Sequence, residues 1–164
     1  MAKKKSSSHK TLAMRLLEGK KVRYEARTYD PDRYVSATEV AEAIGMPAQQ
    51  VFKTLVVQTD KGRPLLAVIP ADRELDLKAL AGAAGVKKVR MATQADAERW
   101  TGLQKGGISA LALLNKGFRV FLDDSAEQFD IIAMSAGERG VQVLLAPDDF
   151  LRLTRARLAP LVPD

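Results

Sequence analysis

The run Val51–Val57 contains the residue best placed to do chemistry, Lys53. In a strand, alternation puts the Lys53 side chain beside that of Leu55, while Thr54 shares the opposite face with Phe52. An ammonium group on an apolar strand face loses hydration, so its pKa falls or it requires an anion nearby. Either outcome suits a site that binds a phosphate or a developing oxyanion. The alternative is a lysine that extends its ammonium from the rim of the sheet into water.

A glycine-rich loop, Gly106–Ser109, is the second candidate. Paired glycines let a backbone come close to a ligand and direct amide N–H groups at a carbonyl or phosphate oxygen. The alternative is an ordinary tight turn. The loop is not a nucleophile elbow, because Ser109 is followed by Ala110 and Leu111, and no Gly-Lys-Ser/Thr follows as in a P-loop.

Other reactive groups are scarce. The turn Ser135–Gly140 could bind a ligand or simply join two strands, and the pairs Asp123-Asp124 and Asp148-Asp149 could bind Mg²⁺ or cap neighbouring elements. The sequence has no Cys and one His, at position 9 in a Lys/Ser-rich start. Thiol nucleophiles, Cys/His zinc sites and His-centred triads are therefore excluded. We expect no cofactor and no metal.

The composition is that of one globular domain. The 164 residues include 26 Lys plus Arg against 20 Asp plus Glu, a formal charge of +6, and 46% are hydrophobic. We predict a basic, disordered tail over residues 1–10 and a single domain over 11–164. No stretch approaches the ~18 apolar residues of a membrane span, and the start is too polar for a secretory signal, so we expect a cytoplasmic protein with no membrane partner. The positive charge is compatible with a polyanionic partner, although the basic residues are scattered along the sequence.

Caps, glycines and apolar periodicity predict short elements in irregular alternation. The predicted strands are Val22–Thr28, Val51–Thr59, Arg63–Ile69, Val86–Met91, Phe118–Asp123, Asp130–Ser135 and Val141–Leu145. The predicted helices begin after Ser8, Ser36, Asp76 and Thr93, and a final one spans Pro147–Leu158. This order predicts an α+β (mixed α/β) domain with a mixed β-sheet surrounded by short helices. Because both faces of the Lys53 strand are apolar, that strand is predicted to be central.

In their order and spacing, these motifs resemble the YbaK/EbsC family of aminoacyl-tRNA deacylases, whose fold also occurs as the editing insertion of bacterial prolyl-tRNA synthetases. The resemblance extends from about Thr11 to Leu158. It rests on Tyr29 in a Thr-Tyr-Asp turn, the run Gln50–Val56, the pair Thr101-Gly102, the loop Gly106–Ser109 and the turn Ser135–Gly140.

The resemblance implies trans-editing: hydrolysis of the ester between a wrong amino acid, most often Cys or Ala, and tRNA(Pro). The nucleophile is then a water or the thiol of a Cys substrate, which leaves as a thiolactone. The partners implied are aminoacyl-tRNA and, as a second candidate, prolyl-tRNA synthetase. The catalytic residues implied are Lys53, Gly106 and Gly107, and the substrate-binding residues are Tyr29, Thr54, Ile108, Ser109, Ser135 and Gly137.

Two positions depart from the family pattern. Ala110 replaces a proline after the glycine loop, and Gln142 replaces an acidic residue after the second glycine turn. These changes leave the amino acid removed undetermined. A non-catalytic relative that binds tRNA or a synthetase is the alternative function, and the presence of both Lys53 and the paired glycines favours the enzyme.

Overall fold

The structure is a computed structural model, and it describes residues 9–164. Within these residues, five α-helices surround one eight-stranded mixed sheet. The helices are α1 (Leu12–Gly19), α2 (Ala37–Ala43), α3 (Leu77–Ala84), α4 (Gln94–Thr101) and α5 (Pro147–Thr154). The strands are β1 (Glu25–Thr28), β2 (Val51–Thr59), β3 (Leu65–Pro70), β4 (Val89–Met91), β5 (Arg119–Asp123), β6 (Ile132–Ser135), β7 (Val141–Leu145) and β8 (Arg157–Ala159). Short 3₁₀ helices cover Ala48–Gln50, Ala110–Leu113 and Asp124–Gln128.

The sheet has the order β1-β7-β6-β2-β3-β5-β8, and β4 pairs with β2 outside that path. The antiparallel β2–β3 and β6–β7 pairs and the parallel β2–β6, β3–β5 and β5–β8 pairs make it mixed. The predicted mixed sheet in a single domain, with the Lys53 strand at its centre, is therefore confirmed.

One edge of β2 is only partly paired. At its start, Val51 and Phe52 pair with β6, and at its end Val57–Thr59 pairs with β4. Ala92 N, just after β4, also donates to Val56 O at 3.1 Å. Between these partners, the segment 53–55 has no strand neighbour on that edge within residues 9–164. The sheet thus contains a gap beside Lys53, which we call the sheet gap.

Apolar packing on both faces holds β2 in place. On one face Phe52 and Val56 join the largest cluster, which includes Leu17 of α1 and Phe150 of α5. On the other face Val57 packs with a second cluster around α3. Burial on both sides fixes the register of β2, because a slip by one residue would exchange its two faces.

Most predicted helix starts are confirmed by their capping bonds. Ser36 and Glu39 form a capping box at α2, the Asp76 side chain accepts from Ala79 N at α3, and Thr93 caps α4. The prediction for α1 is wrong: Thr11 caps the helix by accepting from Met14 N, and Ser8 lies outside the described residues.

The end of the final predicted helix is also wrong. Helix α5 stops at Thr154, because Arg155 adopts a left-handed conformation with φ of 58°. The following segment 157–159 forms β8, parallel to β5. Asp123 at the end of β5 is buried and accepts hydrogen bonds from Ser125 N and from Leu161 N. Its carboxylate therefore holds the segment after β8, and a magnesium role for the pair at 123–124 has no support.

Of the predicted tail, residues 1–8 lie outside the described residues. His9 and Lys10 contact the domain, since His9 Nε2 lies 2.9 Å from Glu138 Oε1 and Lys10 Nζ lies 2.7 Å from Glu18 Oε1. In the described part of the chain, none of the helices has the length and apolarity that a membrane crossing requires.

Candidate active site in the sheet gap

A cavity of about 740 Å³ opens at the sheet gap. It is lined by six of the nine residues that the sequence singled out: Tyr29, Lys53, Thr54, Gly106, Ile108 and Ser135. The remaining three, Gly107, Ser109 and Gly137, are not among its lining residues. A second cavity of about 400 Å³ lies between α3 and β8 and contains none of the nine. The sheet gap is therefore the candidate active site.

Lys53 is partly buried in this cavity, and its Nζ donates to the carbonyl oxygen of Ala71 at 3.1 Å. Burial lowers the pKa of the Lys53 ammonium from its usual 10.5, and the carboxylates of Asp72 and Glu74 partly oppose that shift. The single hydrogen bond to Ala71 leaves Nζ with capacity to donate to a ligand, since an ammonium carries three N–H donors.

Thr54 lines the cavity from the opposite face of β2. Its Oγ1 accepts from Ala110 N at 3.3 Å, which connects the strand to the segment just after the glycine-rich loop. The side chains of Lys53 and Thr54 point to opposite faces of the sheet. They line the same cavity because that cavity lies at the edge of β2 and reaches both faces.

The glycine-rich loop supplies backbone amides, but of the two expected glycines Gly107 already has an acceptor. Gly107 N donates to Gln104 O at 2.8 Å, so this amide closes the loop and is already used. The amides of Gly106 and Ile108 on either side have no acceptor within residues 9–164, and both residues line the cavity. The neighbours of Gly107 are therefore the candidate amides for binding an oxyanion.

Gly107 lets the loop pack against the Ser135–Gly140 turn. A Cβ on Gly107 would lie 3.1 Å from backbone atoms of Glu138 and Arg139. Gly137, with φ of +96°, is equally constrained, because its Cβ would lie 2.9 Å from the Cβ of Ala112. These two glycines act by close packing behind the cavity.

The two serines differ in position. Ser135 lines the cavity, and its Oγ accepts from Gly137 N at 3.1 Å. Ser109 is fully buried, and its Oγ accepts from Leu111 N at 3.1 Å as the cap of the 3₁₀ helix 110–113. Ser109 is thus held by a structural hydrogen bond, and its predicted contact with substrate stays a prediction.

Tyr29 lines the cavity, and its backbone is bonded to the Ser135–Gly140 turn. Its backbone N donates to Gly140 O at 3.0 Å. Arg139, which also lines the cavity, donates to Pro31 O at 2.8 Å. These bonds join the Thr-Tyr-Asp turn to the second glycine turn, so two motifs more than 100 residues apart in sequence form one wall.

Gln142 is a cavity residue that the sequence singled out only as a departure from the family. It lies opposite Ser135 in the β6–β7 ladder, is 6% exposed, and its Oε1 has no hydrogen-bond partner within the described residues. An unpaired buried acceptor costs about 1–3 kcal/mol. A donor group on a ligand would satisfy it. In the sequence, the only signal for this position is that Gln142 replaces the acidic residue of the family pattern.

A family model described as aminoacyl-tRNA editing domain matches residues 33–153, and it covers the sheet gap and the glycine-rich loop. The chain therefore belongs to the aminoacyl-tRNA editing domain family. Its relatives include a protein of Enterococcus faecalis named "Putative Cys-tRNA(Pro)/Cys-tRNA(Cys) deacylase EbsC", which is 44% identical over 97% of this chain and 96% of that protein.

Two further comparisons agree with this family. The "Multifunctional Ser/Thr-tRNA deacylase ProXp-y" of Escherichia coli is 32% identical over 73% of each chain. The crystal structure of a "putative trans-editing enzyme for prolyl tRNA synthetase" superposes with a TM-score of 0.76 at 24% identity, over 86% of this chain and 87% of that one. The latter match establishes the fold, and with it the YbaK-like architecture expected from the sequence.

The packing of Gly107 leads to a stability prediction. Gly107→Ala should lower the free energy of unfolding by about 1–3 kcal/mol, because its Cβ would meet the backbone of Glu138 and Arg139. Gly82→Ala on α3 is the matched control, since nothing lies within 4 Å of its Cβ; there we expect no loss, or a gain of up to about 1 kcal/mol. Urea unfolding measures both. Equal stability of Gly107→Ala and the unmodified protein would show that the two loops do not pack as described.

Proposed function

We propose that this protein is an aminoacyl-tRNA deacylase that hydrolyses the ester of a mischarged amino acid. The observation that carries this proposal is that one cavity is lined by Lys53, a partly buried ammonium, and by Gly106 and Ile108, whose amides have no acceptor within residues 9–164. Such donors stabilise the negative charge that the carbonyl oxygen of an ester gains when it is attacked. The family membership supports the same reaction class.

The reaction proceeds without a protein nucleophile. The sequence has no Cys, and Ser109 is buried as the cap of a 3₁₀ helix. Ser135 lines the cavity, but the one His, the usual base that activates a serine, pairs with Glu138 outside the cavity lining. A water attacks the carbonyl carbon of the ester, and the bond from that carbon to the ribose oxygen breaks. The ribose oxygen takes a proton from the attacking water, and the free amino acid is released. With Cys as substrate, its own thiol sulfur takes the place of the water and the amino acid leaves as a thiolactone.

Within this reaction, Lys53 and the amides have separate tasks. The amides of Gly106 and Ile108 bind the carbonyl oxygen as it gains charge. The positively charged ammonium of Lys53 binds a phosphate, ribose or ester oxygen of the same substrate. Ser135 and Tyr29 line the binding space for the amino acid and the terminal nucleotide, while Gly107 and Gly137 keep the walls in position.

The proposed substrate is Cys on tRNA(Pro). The 44% identity to EbsC over nearly the whole of both chains supports this choice. The relative named for Ser/Thr-tRNA makes serine and threonine the second candidates. Incubation with Cys-tRNA(Pro), Ala-tRNA(Pro), Ser-tRNA and Thr-tRNA separates these substrates, and prolyl-tRNA synthetase added in a second series tests whether it is a partner. Binding of tRNA without hydrolysis of any ester would favour the non-catalytic alternative.

Removal of the ammonium tests the catalytic assignment. Lys53→Ala should lower kcat/KM for the preferred aminoacyl-tRNA by at least ~10²-fold, the scale of one deleted electrostatic contact in an active site. The matched control is Lys20→Ala, an exposed lysine at the end of α1, which should leave the rate unchanged. Circular dichroism verifies that both variants are folded. Near-normal turnover by folded Lys53→Ala would refute the assignment.

The pH dependence of the reaction tests the charge state of Lys53. Burial lowers the pKa of this ammonium, so its charge is present at lower pH and is lost at a pH below 10.5. At each pH, the rate of the unmodified protein is divided by the rate of Lys53→Met. The general increase of ester hydrolysis with hydroxide affects both rates and cancels in this ratio. We expect this ratio to stay constant near neutrality and then to fall at a pH below 10.5. A ratio that stays constant beyond pH 10.5 would contradict an electrostatic role.

Replacement of the buried serine tests the absence of a protein nucleophile. Ser109→Ala should retain most of the turnover, with a stability loss of about 0.5–2 kcal/mol from the missing cap. Single-turnover rates below the unfolding temperature measure the first effect, and urea unfolding measures the second. Detection of an acyl-Ser109 adduct by mass spectrometry would overturn the mechanism.

A further inference from the structure

Basic residues that are scattered in the sequence gather at one end of the sheet. All six of them are exposed, and we call this group the basic end: Lys61, Arg63, Lys87, Lys88, Arg90 and Lys116. They come from three segments, namely the β2–β3 turn, the approach to β4 with its middle residue, and the loop before β5.

Specific contacts hold these three segments together. Asp60 N donates to Lys88 O at 3.3 Å, which joins the β2–β3 turn to the approach to β4. Arg63 donates to Lys116 O at 2.8 Å, which joins the same turn to the loop before β5. The clustering thus follows from the strand pairing.

The charge of the basic end is not neutralised by the domain. Within residues 9–164, none of its six cations lies within 4.0 Å of a carboxylate. Asp60 is the only acidic residue in the segments 60–63, 86–90 and 114–119. Like charges held together raise the free energy of the folded state, and an anionic partner removes that repulsion.

The basic end adjoins the candidate active site. Lys53 and Thr59 lie six positions apart on β2, a distance of about 20 Å at the usual rise per residue. Strand β4 connects the two regions, because Met91 lines the cavity and Arg90 beside it belongs to the basic end. A long polyanion whose end occupies the cavity can therefore reach these cations along β4.

We propose that the basic end binds the phosphate backbone of the RNA whose aminoacylated end occupies the cavity, an inference that rests on the proposed function. Several separate cations spread over three segments match a series of phosphates better than one anionic group. With 5% aromatic residues the chain has little capacity for base stacking, so phosphate contacts provide most of the RNA affinity.

The test compares two double variants. Lys87→Gln/Lys88→Gln removes two charges of the basic end. Lys20→Gln/Arg23→Gln removes two exposed charges just before β1, which runs in the same direction as β2 and so starts at the opposite end of the sheet. The dissociation constant for an uncharged tRNA transcript is measured between low and physiological salt. The magnitude of the slope of log affinity against log salt should decrease by roughly one for each lost phosphate contact. We therefore expect a decrease of about two for the first variant and no change for the second.

Further measurements separate this inference from the proposed function. Turnover of a minimal aminoacylated oligonucleotide should be equal in both variants, because neither touches the cavity. If the protein hydrolyses no aminoacyl-tRNA while Lys87→Gln/Lys88→Gln still loses RNA affinity, the function is wrong and the RNA surface stands. Equal salt slopes for the two variants would overturn the surface. Binding of polyglutamate or of anionic vesicles as tight as that of tRNA at the same salt would overturn RNA as its partner.

Discussion

The interrupted pairing along one edge of β2 is the constraint on which the site depends. A central strand normally has hydrogen-bonded neighbours along its whole length, and here two short partners, β6 and β4, leave the middle of that edge open. Because β2 is packed on both faces and paired with β3 on its other edge, the gap does not collapse. A lysine and a threonine on opposite faces can then line one cavity.

Two contacts that position the loops around this gap involve the backbone alone. Gly107 permits the glycine-rich loop to touch the turn that follows β6, and Tyr29 N bonds to the carbonyl of Gly140. Neither contact uses a side-chain functional group. The walls of the cavity therefore depend on close packing at a glycine and on a backbone amide bond. The residue types alone do not reveal which segments these groups contact.

This dependence explains which features the sequence could predict. Most local signals were reliable, although the cap of α1 was misplaced. The capping box at Ser36 and the hairpin of β2 and β3 need only neighbouring residues, and the apolar run around Lys53 indicated a central strand. Features set by distant contacts were missed. Strand β8 forms because the segment 157–159 pairs with β5, and the basic end exists only once three segments are brought together.

Pairing of β1 with β7 has a consequence for folding during synthesis. Each residue of β1 pairs with one more than 110 positions later in the chain. At typical elongation rates of ~5–20 residues per second, roughly 6–23 s pass between the synthesis of β1 and that of its partner strand. Loop-closure entropy must be overcome before such distant contacts form, so mixed sheets with this connectivity fold slowly. The nascent chain thus carries an unpaired strand through most of translation, and its alternating charged residues, Glu25 and Arg27, protect that strand from pairing with other chains.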